Sequence, residues 1–466
     1  MSDTPKQLNL PGVPEAKQGR EVPEKWGWTE ASVWNERMLA TLERGIKGGK
    51  WFSLIDKVWK TENLQSAAVK VAKGKSRKKP DGRKCHEYLE RCPKRLPELQ
   101  ELLKTNQYQP QPVQRVWIEK PGSTELRPLG VPQVEDRVVQ MALRNVLEPI
   151  FEHTFAERSY GFRPRRGAKD ALRQIQKLLN AGKHWVVDAD IKGYFDNIPQ
   201  DKLLQAVEQH VSDGKVLELL QRFLKQGVME SGKGWSPTDS GTPQGAIISP
   251  MLANIYLNPL DHLMAGSGYE MVRYADDFVI LCANREEAEA AMGQIRAWMD
   301  GAGLTLHPTK TRIVDATQRG GFDFLGYHFE RGYRWPRKKS LDKFKDAIRA
   351  KTLRLRSGSM REITEDINRT LRGWFAYFKH GLRNIYPPLD SWIRQRLRTI
   401  LRRRHKGTGR ARGRDHQRWP NVYFAELGLI SLATARAEAS QLRTGTTKRK
   451  AGCGKSARPV WREGRG

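Results

Sequence analysis

The chain reads Glu270-Met-Val-Arg-Tyr-Ala-Asp-Asp-Phe-Val-Ile-Leu-Cys282. Strand-forming residues flank Tyr274-Ala-Asp-Asp277 on both sides, which predicts an apolar hairpin with two adjacent carboxylates at its tip. Two like charges there are costly unless a cation neutralises them, and a divalent metal on hard oxygen ligands does so. A third acid stands 86 positions upstream, where Trp185-Val-Val-Asp-Ala-Asp190 reads as a buried strand ending on a carboxylate. Strand, acid, long helical insert, then strand-turn-strand with paired acids is the layout of a two-metal phosphoryl-transfer site. Asp190, Asp276 and Asp277 are the candidate ligands. Strand alternation puts Asp188 on the same face as Asp190, so spacing alone leaves that choice open.

Length and charge frame this site. A chain of 466 residues accommodates two or three domains with sizeable cores. The formal charge is +31, and it is unevenly placed. Residues 331–466 hold 36 Lys and Arg against 10 Asp and Glu, a net of +26, which leaves +5 for residues 1–330. A polycationic second part points to nucleic acid as partner. No apolar run approaches the roughly 18 residues that span a bilayer. Met1-Ser-Asp-Thr-Pro-Lys lacks a signal-peptide pattern, so no membrane partner is expected. Cys85, Cys92, Cys282 and Cys453 form no CxxC, which argues against a zinc site or a disulfide framework and for a reducing cytoplasm.

Along the chain, residues 1–25 read as an arm, followed by helical patterns between Glu30 and Leu103 that the basic loop Lys73–Gly82 interrupts. Val113–Ile118 and Leu126–Gly130 read as a hairpin around Lys120-Pro-Gly-Ser, and a helix is predicted over Glu135–Phe151. Ser249-Pro250 reads as a helix start, with the serine capping. A further helix is expected over Glu286–Asp300. Past Arg337 two apolar stripes, Met360–Phe378 and Leu389–Leu401, predict core-facing helices. Arginines 394, 396, 398, 402, 403 and 404 share the second with no acid among them, more than solubility requires.

Seven ordered strings resemble the group II intron-encoded reverse transcriptase/maturase proteins of bacteria: Leu126-Arg-Pro-Leu-Gly-Val-Pro132, Ser159-Tyr-Gly-Phe-Arg-Pro164, Asp190-Ile-Lys-Gly-Tyr-Phe-Asp196, Gly241-Thr-Pro-Gln-Gly-Ala-Ile-Ile-Ser-Pro250, Arg273-Tyr-Ala-Asp-Asp277, Leu306-His-Pro-Thr-Lys-Thr311 and Phe324-Leu-Gly-Tyr327. Arg372-Gly-Trp-Phe-Ala-Tyr-Phe378 is similar to the family's maturase domain. The likeness covers Leu54 to Leu432. It implies an α+β, right-hand polymerase with fingers and palm around an antiparallel sheet, followed by a helical thumb/maturase region. The expected divisions are an arm and leading helix at 1–49, fingers at 50–185, palm at 186–335, thumb and maturase helices at 336–440 and a basic tail at 441–466.

The resemblance also implies roles. The family motif begins at Asp190, which favours it over Asp188 as ligand, and the Ile191 carbonyl joins the metal set. Two Mg2+ ions are expected, with Mn2+ able to substitute. Lys120 and Arg127 match the fingertip residues that clamp a triphosphate; from composition alone they would be solvated. Phe195 matches the aromatic that excludes a ribose 2′-hydroxyl, and Gln244 a contact to nucleotide or template. Lys310 matches a general acid to departing pyrophosphate. Arg394, Arg398, Arg402, Arg403, Arg404, Arg410 and Arg412 are expected to meet RNA phosphates, and aromatics such as Trp374 and Trp419 could stack on bases although most should be core.

Implied partners are an RNA template and primer, dNTPs, the intron RNA as a ribonucleoprotein and a DNA target; the oligomeric state stays open. A bacterial cytoplasmic, nucleoid-associated particle is the implied location. Two departures stand out. The loop Lys75-Ser-Arg-Lys-Lys-Pro-Asp-Gly82 is more basic than the family's Gly-x-Asp-Gly loop. The tail after Leu442 shows no HNH-type endonuclease pattern, so primers for integration are expected from elsewhere, such as a replication fork. Two other readings remain: a non-catalytic RNA-binding splicing maturase, and an intron-derived reverse transcriptase recruited to host defence or repair.

Overall fold

The computed structural model describes residues 24–46, 48–119 and 126–441. The chain divides into two compact units, residues 1–315 and 316–466.

In the first unit, β1 (Val113–Glu119) and β2 (Leu126–Val131) form the expected antiparallel hairpin, with Ile118 opposite Arg127. The turn that contains Lys120 lies outside the described residues. A second sheet carries the acids. Its strands are β3 (Trp185–Asp190), β6 (Glu270–Tyr274), β7 (Asp277–Cys282) and β8 (Arg312–Asp315), in the order β6-β7-β3-β8 with every pairing antiparallel. Between β3 and β6 in the sequence lie β4 (Val228–Glu230) and β5 (Gly234–Ser236), which extend the hairpin sheet through a parallel β1–β4 pairing. Both faces of the central strands are buried: Val187, Ala189 and Ile280 on one, Val186, Val279 and Leu281 on the other. Burial on both faces explains why Phe278-Val-Ile-Leu-Cys282 reads as an unbroken apolar run, since neither face must meet water.

Helices supply that cover. The predicted helices appear as Val134–Thr154 and Arg285–Ala302, each longer than its apolar stripe because polar first and last turns extend it. Helix Ser249–Gly266 starts at the expected place, with proline in its first turn, but Ser249 does not cap it; the cap position is Ile248 and has no side-chain bond. The buried Ser249 hydroxyl instead accepts from Thr242 Oγ1 at 2.6 Å and donates to the Pro243 carbonyl at 3.0 Å. It ties the preceding loop to the helix.

The second unit opens with a meander of β9 (Phe322–Phe324), β10 (Tyr327–Glu330) and β11 (Tyr333–Pro336). Tyr327 donates to the Tyr377 carbonyl at 2.7 Å, and Tyr377 donates to the Leu325 carbonyl at 2.8 Å. These bonds join the meander to helix Met360–Phe378, so its strands fall in the same compact unit as the basic helices. Ser359 and Glu362 close a capping box at the start of that helix. The apolar stripes bury as expected, with Ile363, Ile367 and Leu371 against Leu389, Ile393 and Leu397. Among the described residues no helix is long and apolar enough to cross a membrane.

Candidate active site

Register brings the acids together. Asp190, the last residue of β3, lies directly opposite Asp277, the first of β7, and Tyr274 pairs with Asp277 from the other side. Asp276 occupies the turn between β6 and β7. Its carboxyl is held above the usual range, first by burial and then by the negative charge of Asp190; its own backbone N–H and the cations Arg127 and Arg273 pull the other way. Asp188 faces β8 instead, opposite Arg312, whose Nε stands 3.4 Å from its carboxylate. Register separates the two: Asp188 lies between Val279 of β7 and Arg312 of β8, whereas Asp190 lies opposite Asp277 at the strand end, a distinction that strand alternation could not make.

The segment after helix Arg285–Ala302 runs beside the end of β3. The Asp190 carbonyl accepts from His307 N at 2.7 Å, Lys192 N donates to the Thr305 carbonyl at 2.9 Å, and Ile191 bridges to Leu306. That pairing delivers Lys310, whose Nζ lies 2.7 Å from Asp190 Oδ2. Ile191 itself is buried.

Phe195 sits in a single helical turn, Tyr194–Asn197, rather than in a strand, and is half-buried against the Tyr194 ring with centroids 5.6 Å apart. Its carbonyl accepts from Thr242 N at 2.7 Å, which holds the loop Gly241–Gly245 alongside. Gly241 is required there: its φ is +76°, and a Cβ would stand 2.5 Å from the Phe195 carbonyl oxygen. Gln244 Nε2 donates to Asp196 Oδ2 at 3.0 Å, and the Gln244 carbonyl accepts from Gly130 N in β2 at 2.7 Å. Through these bonds Phe195, Gln244 and the strand bearing Arg127 form one neighbourhood. The Asp196–Gln244 link joins residues 48 positions apart, and no local pattern in the sequence signals it.

Residues 118–329 match the reverse transcriptase (RNA-dependent DNA polymerase) family, and residues 341–419 match the group II intron maturase-specific domain. The group II intron-encoded protein LtrA of Lactococcus lactis is 45% identical over 159 residues, 34% of this chain and 26% of that protein. Protein YkfC of Escherichia coli (strain K12) is 33% identical over 272 residues, 50% of this chain and 70% of that protein. The chain belongs to the group II intron-encoded reverse transcriptase/maturase family. It spans about a quarter of the length of LtrA. A solved telomerase from Candida albicans, in complex with a fragment of telomeric RNA, superposes with a TM-score of 0.40 at 13% identity, over 64% of this chain and 60% of that one.

Reverse transcriptases depend on divalent metal, and the donor set of this family member fits one. The three carboxylates are hard ligands gathered at one end of the central strand pair β3–β7. Asp276 is held up first by burial and then by the Asp190 charge beside it, so a cation bound there would relieve its cost. Among the described residues no three acidic, histidine or cysteine side chains already converge as a metal cage. Lys310 engages Asp190 and supplies a cation in that place.

The maturase-side arginines divide into two groups. Arg398 is 3% exposed, with Nε donating to the Trp419 carbonyl at 2.8 Å and Nη2 to Asn421 Oδ1 at 2.7 Å. It is an interior fastener, which corrects its expected place on the RNA-facing side. Arg394 is half-buried. Arg402 also works internally, donating to Asp415 and to the Thr408 carbonyl at 2.7 Å each. Arg404 donates to the carbonyls of Arg356 and Gly358 but stays exposed, as do Arg403, Arg410 and Arg412. Arg403 and Arg404 border a depression of about 430 Å³ with Arg354, Leu355, Arg356 and Lys406. Trp374 stacks on Phe344 and Trp419 is buried, so both are core. Cys85, Cys92 and Cys282 are buried free thiols; burial pushes Cys92 up to about 11 and Cys282 up to about 12.

Proposed function

We propose that this chain is an RNA-directed DNA polymerase that copies an RNA template from a primer with dNTPs, and that its helical second unit binds intron RNA to assist splicing and movement into a DNA target. The observation that carries the polymerase reading is the register of β3 and β7. It sets Asp190 opposite Asp277 with Asp276 in the adjoining turn, three carboxylates at one end of the two central strands.

On this reading Asp190, Asp276 and Asp277, with the Ile191 carbonyl, hold two Mg2+ ions, and Mn2+ can replace them. Metal bound there would activate the primer 3′-hydroxyl and offset the charge of the triphosphate and its leaving group. Arg127, reaching the acids electrostatically from β2, steadies the triphosphate together with Lys120. Phe195 closes the space a 2′-hydroxyl would need. Gln244 steadies the nucleotide or its template partner from a loop fixed at both ends. Lys310 hands its proton to the departing pyrophosphate. The exposed arginines 403, 404, 410 and 412 neutralise RNA phosphates.

The deciding experiment is primer extension on an RNA template with Mg2+, comparing the unaltered chain with Asp276→Ala and Asp277→Ala. Extension is expected to fall to background while RNA binding persists. Near-unaltered extension by either variant would remove the acids from the mechanism.

A further inference from the structure

Arg273 is the last but one residue of β6 and is 0% exposed. Its partner Asp261 is also buried. A buried ion pair is a poor device for stability, because desolvating both charges offsets most of their attraction. What this one holds is more informative. Arg273 Nε donates to Asp261 Oδ1 at 2.7 Å, and Nη2 donates to the other oxygen. Nη1 donates both to Asn254 Oδ1 at 2.9 Å and to the Ala275 carbonyl at 2.8 Å.

Ala275 directly precedes the two acids, and its φ of +61° puts it in the left-handed region that a Cβ disfavours. The turn therefore keeps a conformation its own residue opposes, with its carbonyl fixed from below by a guanidinium. A second segment presses on it from the side. A Cβ at Gly161 would stand 2.3 Å from Ala275 N, so only glycine lets Tyr160-Gly161-Phe162 approach this closely. The Gly161 carbonyl accepts from Asn254 Nδ2 at 2.8 Å, and Tyr160 N donates to the Arg273 carbonyl at 2.9 Å. Asn254 and Asp261 stand seven residues apart on helix Ser249–Gly266, two turns on one face. One helix face thus fixes the arginine, and the arginine and the glycine segment fix the turn.

We infer that Arg273, oriented by Asp261 and Asn254, is a positioning clamp: by holding the Ala275 carbonyl it sets how Asp276 and Asp277 project, and so controls divalent-cation binding and the rate of nucleotidyl transfer without touching substrate. This rests on the polymerase reading of the acids.

The test uses the full chain and the variants Arg273→Lys, Asn254→Ala and Gly161→Ala. Lysine keeps the charge but cannot reach three acceptors at fixed angles. Alanine at 254 removes both the Arg273 acceptor and the Gly161 donor. Alanine at 161 pushes on the turn while leaving the arginine intact. Mn2+ binding is measured without substrate, by the electron paramagnetic resonance of the free ion. The kcat and the dNTP and primer-template KM are measured in parallel on a pre-annealed substrate.

All three variants are expected to lose Mn2+ affinity and kcat by about 10- to 100-fold, with primer-template KM unchanged and part of the kcat recovered at high Mn2+. Should Arg273→Lys fail to fold, the other two decide. Folded variants that keep Mn2+ affinity and kcat would overturn the clamp and leave the ion pair a packing feature. An unaltered chain that binds Mn2+ through its acids but extends no primer would overturn the polymerase reading, and the binding arm would still decide the clamp.

Discussion

Lys310 Nζ stands 2.7 Å from Asp190 Oδ2, an ion pair between residues 120 positions apart that forms because the His307–Thr311 segment runs beside the end of β3. The lysine side chain is 60% exposed and the aspartate 31%, so the pair contributes no more than about 1 kcal/mol to stability. Its value lies in charge and in protons. Lys310→Ala is expected to leave the melting temperature nearly unchanged. It should tighten Mn2+ binding several-fold, because a competing cation has gone, and slow extension by about 100-fold, because a proton donor has gone. Lys310→Arg keeps the cation, but a guanidinium does not release its proton, so it should be slow as well. An arginine variant as fast as the unaltered chain would leave Lys310 a charge and no acid.

Phe195 is half-buried against Tyr194, and its carbonyl anchors the Thr242 loop through the backbone, which any residue would supply. Phe195→Ala should therefore keep the loop and lose only the ring. Relative use of rNTP over dNTP is expected to rise by about 10- to 100-fold in single-nucleotide incorporation. An unchanged ratio would make the ring a packing element.

The acids were legible because strand alternation and an apolar hairpin leave few places for adjacent carboxylates. Lys310 was legible only through family likeness, since nothing in its own neighbourhood points 120 positions back. Arg398 shows the reverse failure. It sits between Leu397 and Leu401 on the apolar stripe, a position that periodicity marks as interior, yet composition grouped it with the exposed arginines. Asn254 and Asp261 carried a similar signal, two polar residues seven apart whose spacing sets them on one helix face among buried apolar neighbours. Ser249-Pro250 read correctly as a helix start, but the serine's second choice of partner, a loop hydroxyl, depends on tertiary contact that no local rule supplies.

Asp136 gives a pH dependence unconnected with catalysis. It is 1% exposed, and burial holds its carboxyl up at about 6, against bonds from Tyr108 Oη at 2.6 Å and from Gln111 N. Between about pH 4 and pH 6 the folded chain keeps a proton there that the unfolded chain has lost. This group's contribution to stability therefore falls as pH rises through that window, and above it the cost is about 3 kcal/mol. Asp136→Asn should gain on the unaltered chain from pH 4.5 to pH 7 in parallel thermal melts. A constant difference across that range would show that the carboxyl titrates normally.

RNA affinity should follow the exposed arginines and spare the internal ones. Arg403, Arg410 and Arg412 are exposed, whereas Arg398 and Arg402 hold the chain around Asp415 and Trp419. Replacing the first three with Gln leaves the Leu389–Leu401 stripe and both internal fasteners in place, so the melting temperature should hold. Each RNA phosphate that is no longer neutralised takes about 0.7 to 0.9 off the slope of log K against log[salt], so the triple variant's slope should shrink by up to about 2 to 3. Arg398→Gln should do the opposite: it leaves buried acceptors unpaired, lowering stability by about 1 to 3 kcal/mol while the salt slope of the folded protein stays the same. Filter binding to intron RNA across a salt series, paired with thermal melts, separates the two. A triple variant with unaltered affinity and slope would show these arginines to be merely solvated, and would move the RNA-binding surface to the basic stretch Lys73–Lys79 of the first unit.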